Sequence, residues 1–384
     1  MGRIIIVQRE DLKNYPPTLS IINYLLMKNV KIIVIGYFTD VYQRKILESQ
    51  GVEFLGVCHY NEGGNKSIIN RILEQFKLKR EILSHLNRLK ISDDDRVWIM
   101  QGQLVALLSS VVGKYKTIVH LYEHVGNAIY RKYKLFNPSF NAAKTFNSAF
   151  KVVCCEYNRA HILRSIYKLE KLPIILPNKF FSLSNQTLAQ RSSNEYLVSD
   201  LAQKLSGKFI ILYQGSFLGL DRKLDEYCEA VLLLPDDFVL IAMGPNHGSY
   251  NELKSKYQSD RIIFVPFINP PFHLEVTKLA HIGILSYISN STILDEIINP
   301  LYCAPNKIFE YSKFGIPMIS NDLPGLHSIF REYNCGECVD YPITPSKIAM
   351  KIKQIRESYT KYSDGSRTYY ESVSISDIIE RILV

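Results

Sequence analysis

Ala304-Pro305-Asn306-Lys307-Ile308-Phe309-Glu310-Tyr311-Ser312-Lys313-Phe314-Gly315-Ile316-Pro317-Met318-Ile319-Ser320 reads as loop, helix, stop and strand. Pro305 ends an irregular run and suits the first turn of a helix, where a proline gives up only an N–H that the helix cannot use. Ile308, Phe309, Tyr311 and Phe314 give this helix an apolar side, and Gly315 is a fitting stop before a short buried strand. The first N–H groups of a helix have no partner inside it and favour an anion. Asn306 and Lys307 add a neutral donor and a cation where a diphosphate would sit. Glu310 follows one turn later, able to accept from ribose hydroxyls.

The pattern Pro305-Asn306-Lys307-x-Phe309-Glu310-Tyr311-x-x-x-Gly315-x-Pro317-x-Ile319 resembles the donor-site signature of GT-B glycosyltransferases grouped around family 4, of the kind found in bacterial surface polysaccharide biosynthesis. The resemblance implies an α/β chain of two Rossmann-like domains whose parallel sheets face a central cleft. It places the phosphates on Asn306 and Lys307, between Pro305 and Ile308, and the ribose on Glu310. The bland alternative is an ordinary helix–strand unit of such a sheet. Many members carry a second Glu eight residues before the first, facing the sugar, where this chain has Tyr302. That departure leaves open which sugar is bound and whether its configuration is retained.

At 384 residues the chain exceeds one ordinary core, so two domains of similar size are expected. No apolar run reaches the roughly 20 residues of a spanning helix, and the opening Met-Gly-Arg-Ile-Ile-Ile-Val-Gln-Arg does not read as a signal peptide. The expectation is a cytoplasmic protein. Position 6 is Ile, which argues against myristoylation at Gly2. Seven scattered cysteines suit a reducing compartment. Cys335-Gly-Glu-Cys338 has the spacing of a metal knuckle but lacks a second pair, so no metal is expected.

The net charge of +9 is unevenly placed. Residues 1–177 hold 26 Lys and Arg against 14 Asp and Glu, and the remainder holds 20 against 23. A basic first half suggests an anionic acceptor or surface meeting the first domain.

Along that first half, Ile4 to Val7, Ile32 to Ile35, Gly51 to Val57, Arg96 to Met100, Lys116 to Tyr122 and Lys151 to Glu156 read as strands. Gln8 to Pro17 reads as a loop at a strand's carboxyl end, where ligands bind in an open parallel sheet. Lys66 to Lys90 is a long helical stretch with an apolar stripe of Ile68, Ile69, Ile72, Leu73, Phe76, Leu83 and Leu86, read first as core and second as a face for anionic lipid. Tyr130-Arg-Lys-Tyr-Lys-Leu-Phe, with Phe140, Lys144, Phe146, Phe150 and Lys151, mixes aromatics and cations as a membrane interface or a single-strand binder would. Glu123 and His124 end a strand in a turn similar to the family's acceptor-side segment, so one of them is expected to handle a proton or orient the sugar. Glu156 and Arg159 are spaced to pair across a helical turn. Leu172 to Asn178 resembles the last strand of the first domain and its exit.

The expected boundaries are an acceptor-binding domain at 1–178, a linker at 179–207 and a nucleotide-sugar-binding domain at 208–384, whose last helix can pack back on the first domain. Lys208 to Gln214 is a buried strand running into Gly215 and Ser216. The family's Gly-Arg…Lys pattern there contacts the donor diphosphate. Ser216 stands where Arg often does, so the strong cation falls to Arg222, assisted by Lys223. Phe238 to Gly244 and Arg261 to Val265 are further strands. The resemblance assigns Gly244 to the donor pocket, and the nucleobase to backbone at Phe267 and Ile268. Leu279 to Tyr287 resembles another family strand, and Asn321 to Gly325 reads as a helix-capping turn or as the pocket's rim.

There is no P-loop, Gly-x-Gly-x-x-Gly turn, metal-ligand triad or Asp-x-Asp element. The expected activity is a metal-independent glycosyltransferase without cofactor, retaining by resemblance, taking a UDP- or GDP-sugar to a saccharide acceptor, in lipid-linked form at an anionic membrane. Arg222, Lys307 and the helix start would stabilise the leaving diphosphate. Two alternatives stay open: a GT-B sugar-nucleotide epimerase, and a non-catalytic binder of anions or nucleic acid.

Overall fold

The computed structural model describes residues 2–58, 67–181, 194–218, 224–288 and 291–384. Two compact units emerge, Met1–Gln186 with Ser374–Val384, and Thr187–Val373. Among the described residues no helix is long and apolar enough to cross a membrane.

The first unit holds a seven-stranded sheet, β1 (Ile4–Asp11), β2 (Ile32–Tyr37), β3 (Val52–Gly56), β4 (Arg96–Met100), β5 (Thr117–Leu121), β6 (Lys151–Cys154) and β7 (Ile174–Ile175), in the order β3-β2-β1-β4-β5-β6-β7. Every neighbouring pair is parallel. Side chains alternate between faces, so Ile5, Val7, Ile33, Val97 and Val119 build one core while Ile4, Ile6, Ile32, Trp98 and Ile118 are buried on the other. A sheet covered on both faces accounts for the near-continuous apolar runs.

Three expectations change here. Gln8 to Asp11 continue β1 past a register irregularity, and Gln8, Arg9 and Asp11 are buried despite their polarity. The long helix spans Ile68–Arg88, and its buried stripe is Gln75, Leu78, Ile82 and Leu86; Ile68, Ile69, Leu73 and Phe76 are exposed. Lys66 lies outside the described residues. Glu156 caps the helix Tyr157–Tyr167, accepting from the Arg159 N–H at 2.7 Å, while the Arg159 guanidinium donates to the Tyr122 carbonyl at 2.9 Å.

The aromatics of the second basic cluster turn inward. Tyr130, Phe140, Phe146 and Tyr167 are buried edge to face, with centroids 5.1–6.1 Å apart, leaving Arg131, Lys132, Lys134 and Lys144 outside. A platform for stacking unpaired bases needs exposed rings, so these rings do not provide one.

The second unit holds a six-stranded parallel sheet, β8 (Phe209–Gln214), β9 (Phe238–Gly244), β10 (Ile262–Pro266), β11 (Ile282–Leu285), β12 (Met318–Asn321) and β13 (Gly336–Val339), ordered β10-β9-β8-β11-β12-β13. The order reverses between β8 and β11, so the crevice at their carboxyl ends is where an open sheet of this kind receives a ligand. Residues 194–204, within the stretch read as linker, form a helix, and its Leu201 joins Leu205 in this unit's core. Residues 182–193 of that stretch lie outside the described residues. The final helix, Ile375–Leu383, groups with the first unit and buries Ile375, Ile379, Ile382 and Leu383.

Candidate functional site

The helix Asn306–Ser312 starts at Pro305, whose extended backbone (φ −73°, ψ 140°) turns the chain into it and whose side chain makes no capping hydrogen bond. Two turns of helix are marginal alone in water. Burial of Ile308, Phe309 and Tyr311 in the second unit's core holds this one. Each such side chain contributes roughly 1.5–3 kcal/mol. Gly283 on β11 makes room: a Cβ there would lie 2.4 Å from the Tyr311 ring, and the Tyr311 hydroxyl donates to the Leu212 carbonyl of β8 at 3.1 Å. Gly315, at φ +67°, ends the element in a conformation that suits glycine.

This seating brings Glu310 to the end of β8. Its Oε2 accepts from Gln214 Nε2 at 2.6 Å, and its Oε1 lies 3.4 Å from His273 Nε2. Gln214 is fixed in turn, its Oε1 accepting from the Thr277 hydroxyl at 2.7 Å. Burial pushes the Glu310 carboxyl up, but the His273 hydrogen bond and charge, Lys307 and Gln214 together bring it below its ordinary value. The side chain remains 22% accessible, so an ionised and oriented carboxylate is open to a ligand. His273 Nδ1 is buried without a hydrogen-bond partner among the described residues. Gln214, His273 and Thr277 were not singled out in the sequence; only Gln214, as the residue before a strand-ending glycine, carried any signal.

Beside this network the ends of β8 and β9 are in close contact. A Cβ on Gly244 would meet the Gly215 carbonyl oxygen at 2.0 Å, and the Gly215 N–H donates to the Met243 carbonyl at 2.9 Å. Ser216 Oγ accepts from the Leu218 N–H at 3.2 Å. Phe267 is exposed, whereas Ile268 is buried in the core and offers only backbone. Asn306, Lys307 and Tyr302 are half-buried. The strand-end residues Gly215, Ser216 and Gly244 and the helix residues Pro305 to Glu310 thus share the carboxyl side of one sheet. Arg222 and Lys223 lie outside the described residues.

In the first unit Glu123 is exposed and His124 is buried after β5. Close by, polar atoms cluster at the ends of β1, β4 and β5. Gln8 Nε2, Gln101 Oε1 and both ring nitrogens of His120 are buried without partners among the described residues. Gln101 stands at φ +77° and ψ 141°, strained for a non-glycine residue and costing about 1–3 kcal/mol. Such strain and unpartnered polarity concentrate at functional sites.

No family model matches the chain, and no curated protein does. Solved structures match it end to end. HepE from Anabaena in complex with UDP-glucose covers 100% of this chain and 98% of its own at 14% identity, with a TM-score of 0.65. A glycosyltransferase from Rickettsia africae covers 99% and 96% at 16% identity with a TM-score of 0.65. WaaG, a glycosyltransferase involved in lipopolysaccharide biosynthesis, covers 99% and 98% at 12% identity with a TM-score of 0.62. The chain therefore has the GT-B fold of two Rossmann-like units.

Proposed function

We propose that this chain is a glycosyltransferase that binds a UDP- or GDP-sugar on its second unit and transfers the sugar to a saccharide acceptor. The observation that carries the reading is Glu310, held ionised by Gln214 and His273 one turn from the helix start at Asn306. Ribose hydroxyls would donate to that carboxylate, and the diphosphate would take the N–H groups at Asn306 and Lys307. The bound UDP-glucose of Anabaena HepE supports a nucleotide sugar as donor. Arg222, Lys223 and Lys307 would stabilise the leaving diphosphate, a task that needs no metal when protein cations and a helix start supply the charge.

The acceptor would be held by the first unit, with Glu123 or His124 moving a proton or orienting the sugar. Gln8 Nε2, Gln101 Oε1 and the His120 imidazole, without hydrogen-bond partners among the described residues, support a hydroxyl-rich ligand there. A lipid-linked acceptor at an anionic membrane is supported by the exposed Ile68, Ile69, Leu73 and Phe76 beside Arg71, Lys77 and Arg80. Retention of configuration is the outcome the resemblance implies, and Tyr302 makes the anomeric product the thing to measure.

A thermal-shift series with UDP, GDP and their sugars in the presence of EDTA tests the donor site. One nucleotide is expected to raise the melting temperature of the wild type and to leave Glu310→Ala unmoved. Equal shifts in both proteins, or none with any nucleoside diphosphate, would overturn the reading. A sugar altered without added acceptor would instead establish the epimerase.

A further inference from the structure

Asp322, His327 and Cys338 place one oxygen, one nitrogen and one sulfur donor within 4.8 Å of one another. They come from three elements: the turn after β12, the helix Pro324–Tyr333, and β13. His327 Nδ1 and Asp322 Oδ1 are 2.6 Å apart, and the Cys338 sulfur lies 3.8 Å from the Ser320 hydroxyl and accepts from the Leu323 backbone N–H. A tetrahedral ion with bonds of about 2.0–2.3 Å spaces its donors roughly 3.3–3.6 Å apart. That value lies inside the observed span, so small rotations of the two exposed side chains would close the set around an ion.

We infer that Asp322, His327 and Cys338 form a site for one zinc-class transition-metal ion with a fourth position open to solvent. Imidazole and thiolate select such ions over magnesium or calcium, which take oxygen donors. The backbone frame is already fixed. The Asp322 N–H donates to the Val339 carbonyl at 3.1 Å, the His327 N–H to the Leu323 carbonyl at 2.8 Å, and Asn321 brackets the Tyr287 backbone at 3.0 and 2.6 Å. The accessible sides of Asp322 and His327, 42% and 50%, give an ion its entry path. The Cys335-x-x-Cys338 spacing is not the basis: Cys335 is buried, with its thiol on the Ile329 carbonyl at 3.8 Å. An ion here would tie β13 to the helix whose Gly325 abuts the backbone of Tyr302 and Cys303, the approach to Pro305. The site stands whether or not the second unit binds a nucleotide.

Cobalt titrated into the EDTA-treated, dialysed full chain tests this directly. The expected result is a saturating near-ultraviolet sulfur-to-cobalt band with strong tetrahedral d–d absorption. Cys338→Ser should abolish the sulfur band, and His327→Gln should weaken binding by at least the roughly 10–100-fold that loss of a supporting partner costs. Cys58 is the other cysteine that is not buried, and Cys58→Ser should leave the band intact. Unchanged far-ultraviolet circular dichroism would show that each variant folds. Absence of the band in the wild type, its persistence in Cys338→Ser, or its loss in Cys58→Ser would overturn the assignment.

Discussion

Glu310 could be proposed from its own short stretch because helix start, cation and carboxylate are contiguous in sequence. The groups that orient it could not. Gln214 ends β8, and His273 and Thr277 lie on the helix His273–Thr277, so only the folded sheet brings them within hydrogen-bond reach. Gln214→Leu should leave the fold in place and weaken nucleotide binding by about tenfold or more, from the roughly 1.5–3 kcal/mol of a hydrogen bond to a charged group. Isothermal titration would measure this, and unchanged affinity would show that Gln214 does not orient the carboxylate. His120 allows a second test. Burial brings its imidazole down to about 3. An unfolded chain protonates it near its ordinary 6.5, so between those values the unfolded state binds more protons and stability falls as pH falls. The slope from one group approaches about 1.4 kcal/mol per pH unit. The lowered Glu310 carboxyl adds the same sign only below its ordinary 4.5. Urea unfolding of His120→Leu at pH 7, 6 and 5 should therefore show a flatter profile than the wild type, and parallel profiles would contradict a neutral buried imidazole.

At the scale of elements, the strands were legible because β-branched runs ending in glycine, proline or polar residues leave few other assignments. Side-chain placement on helices was less so. The stripe read from Ile68 to Leu86 contains neither Leu78 nor Ile82, yet those two reach the core with Leu86, while Ile68, Ile69, Leu73 and Phe76 are exposed. Helical spacing alone did not tell which of two adjoining apolar faces is turned to the sheet. The helix Asn306–Ser312 shows the opposite dependence, since a missing side chain on β11 sets its height above the sheet. Gly283→Ala would drive a methyl into the Tyr311 ring and lift Glu310, its neighbour in the chain. The expected cost is about 1–3 kcal/mol of stability, the range for overpacking a filled core. Donor affinity should fall as well, even at temperatures where the variant is fully folded. A variant as stable as the wild type would mean that the helix rides higher than the structure shows.

On the scale of the molecule, each unit has its own sheet and its own core, but chain order does not follow that division. The last helix comes after the second unit in sequence and belongs with the first. Its spacing of Ile375, Ile379 and Ile382 announces an apolar face, and nothing in that face names the surface it covers. The folded chain settles this through contacts with β7 and through Glu380, which accepts from the Tyr24 hydroxyl at 2.9 Å and pairs with Lys28 at 2.6 Å. The ion pair is largely solvated and contributes little. The four buried aliphatic side chains carry the attachment, at roughly 1.5–3 kcal/mol each when fully buried. Ending the chain at Val373 should therefore strip hydrogen-exchange protection from β1 to β7 by several kcal/mol while β8 to β13 keep theirs. Exchange followed by mass spectrometry resolves the two units. Equal loss of protection in both would mean that the final helix supports the second unit as much as the first, and no loss would mean that its apolar face contributes nothing to either core.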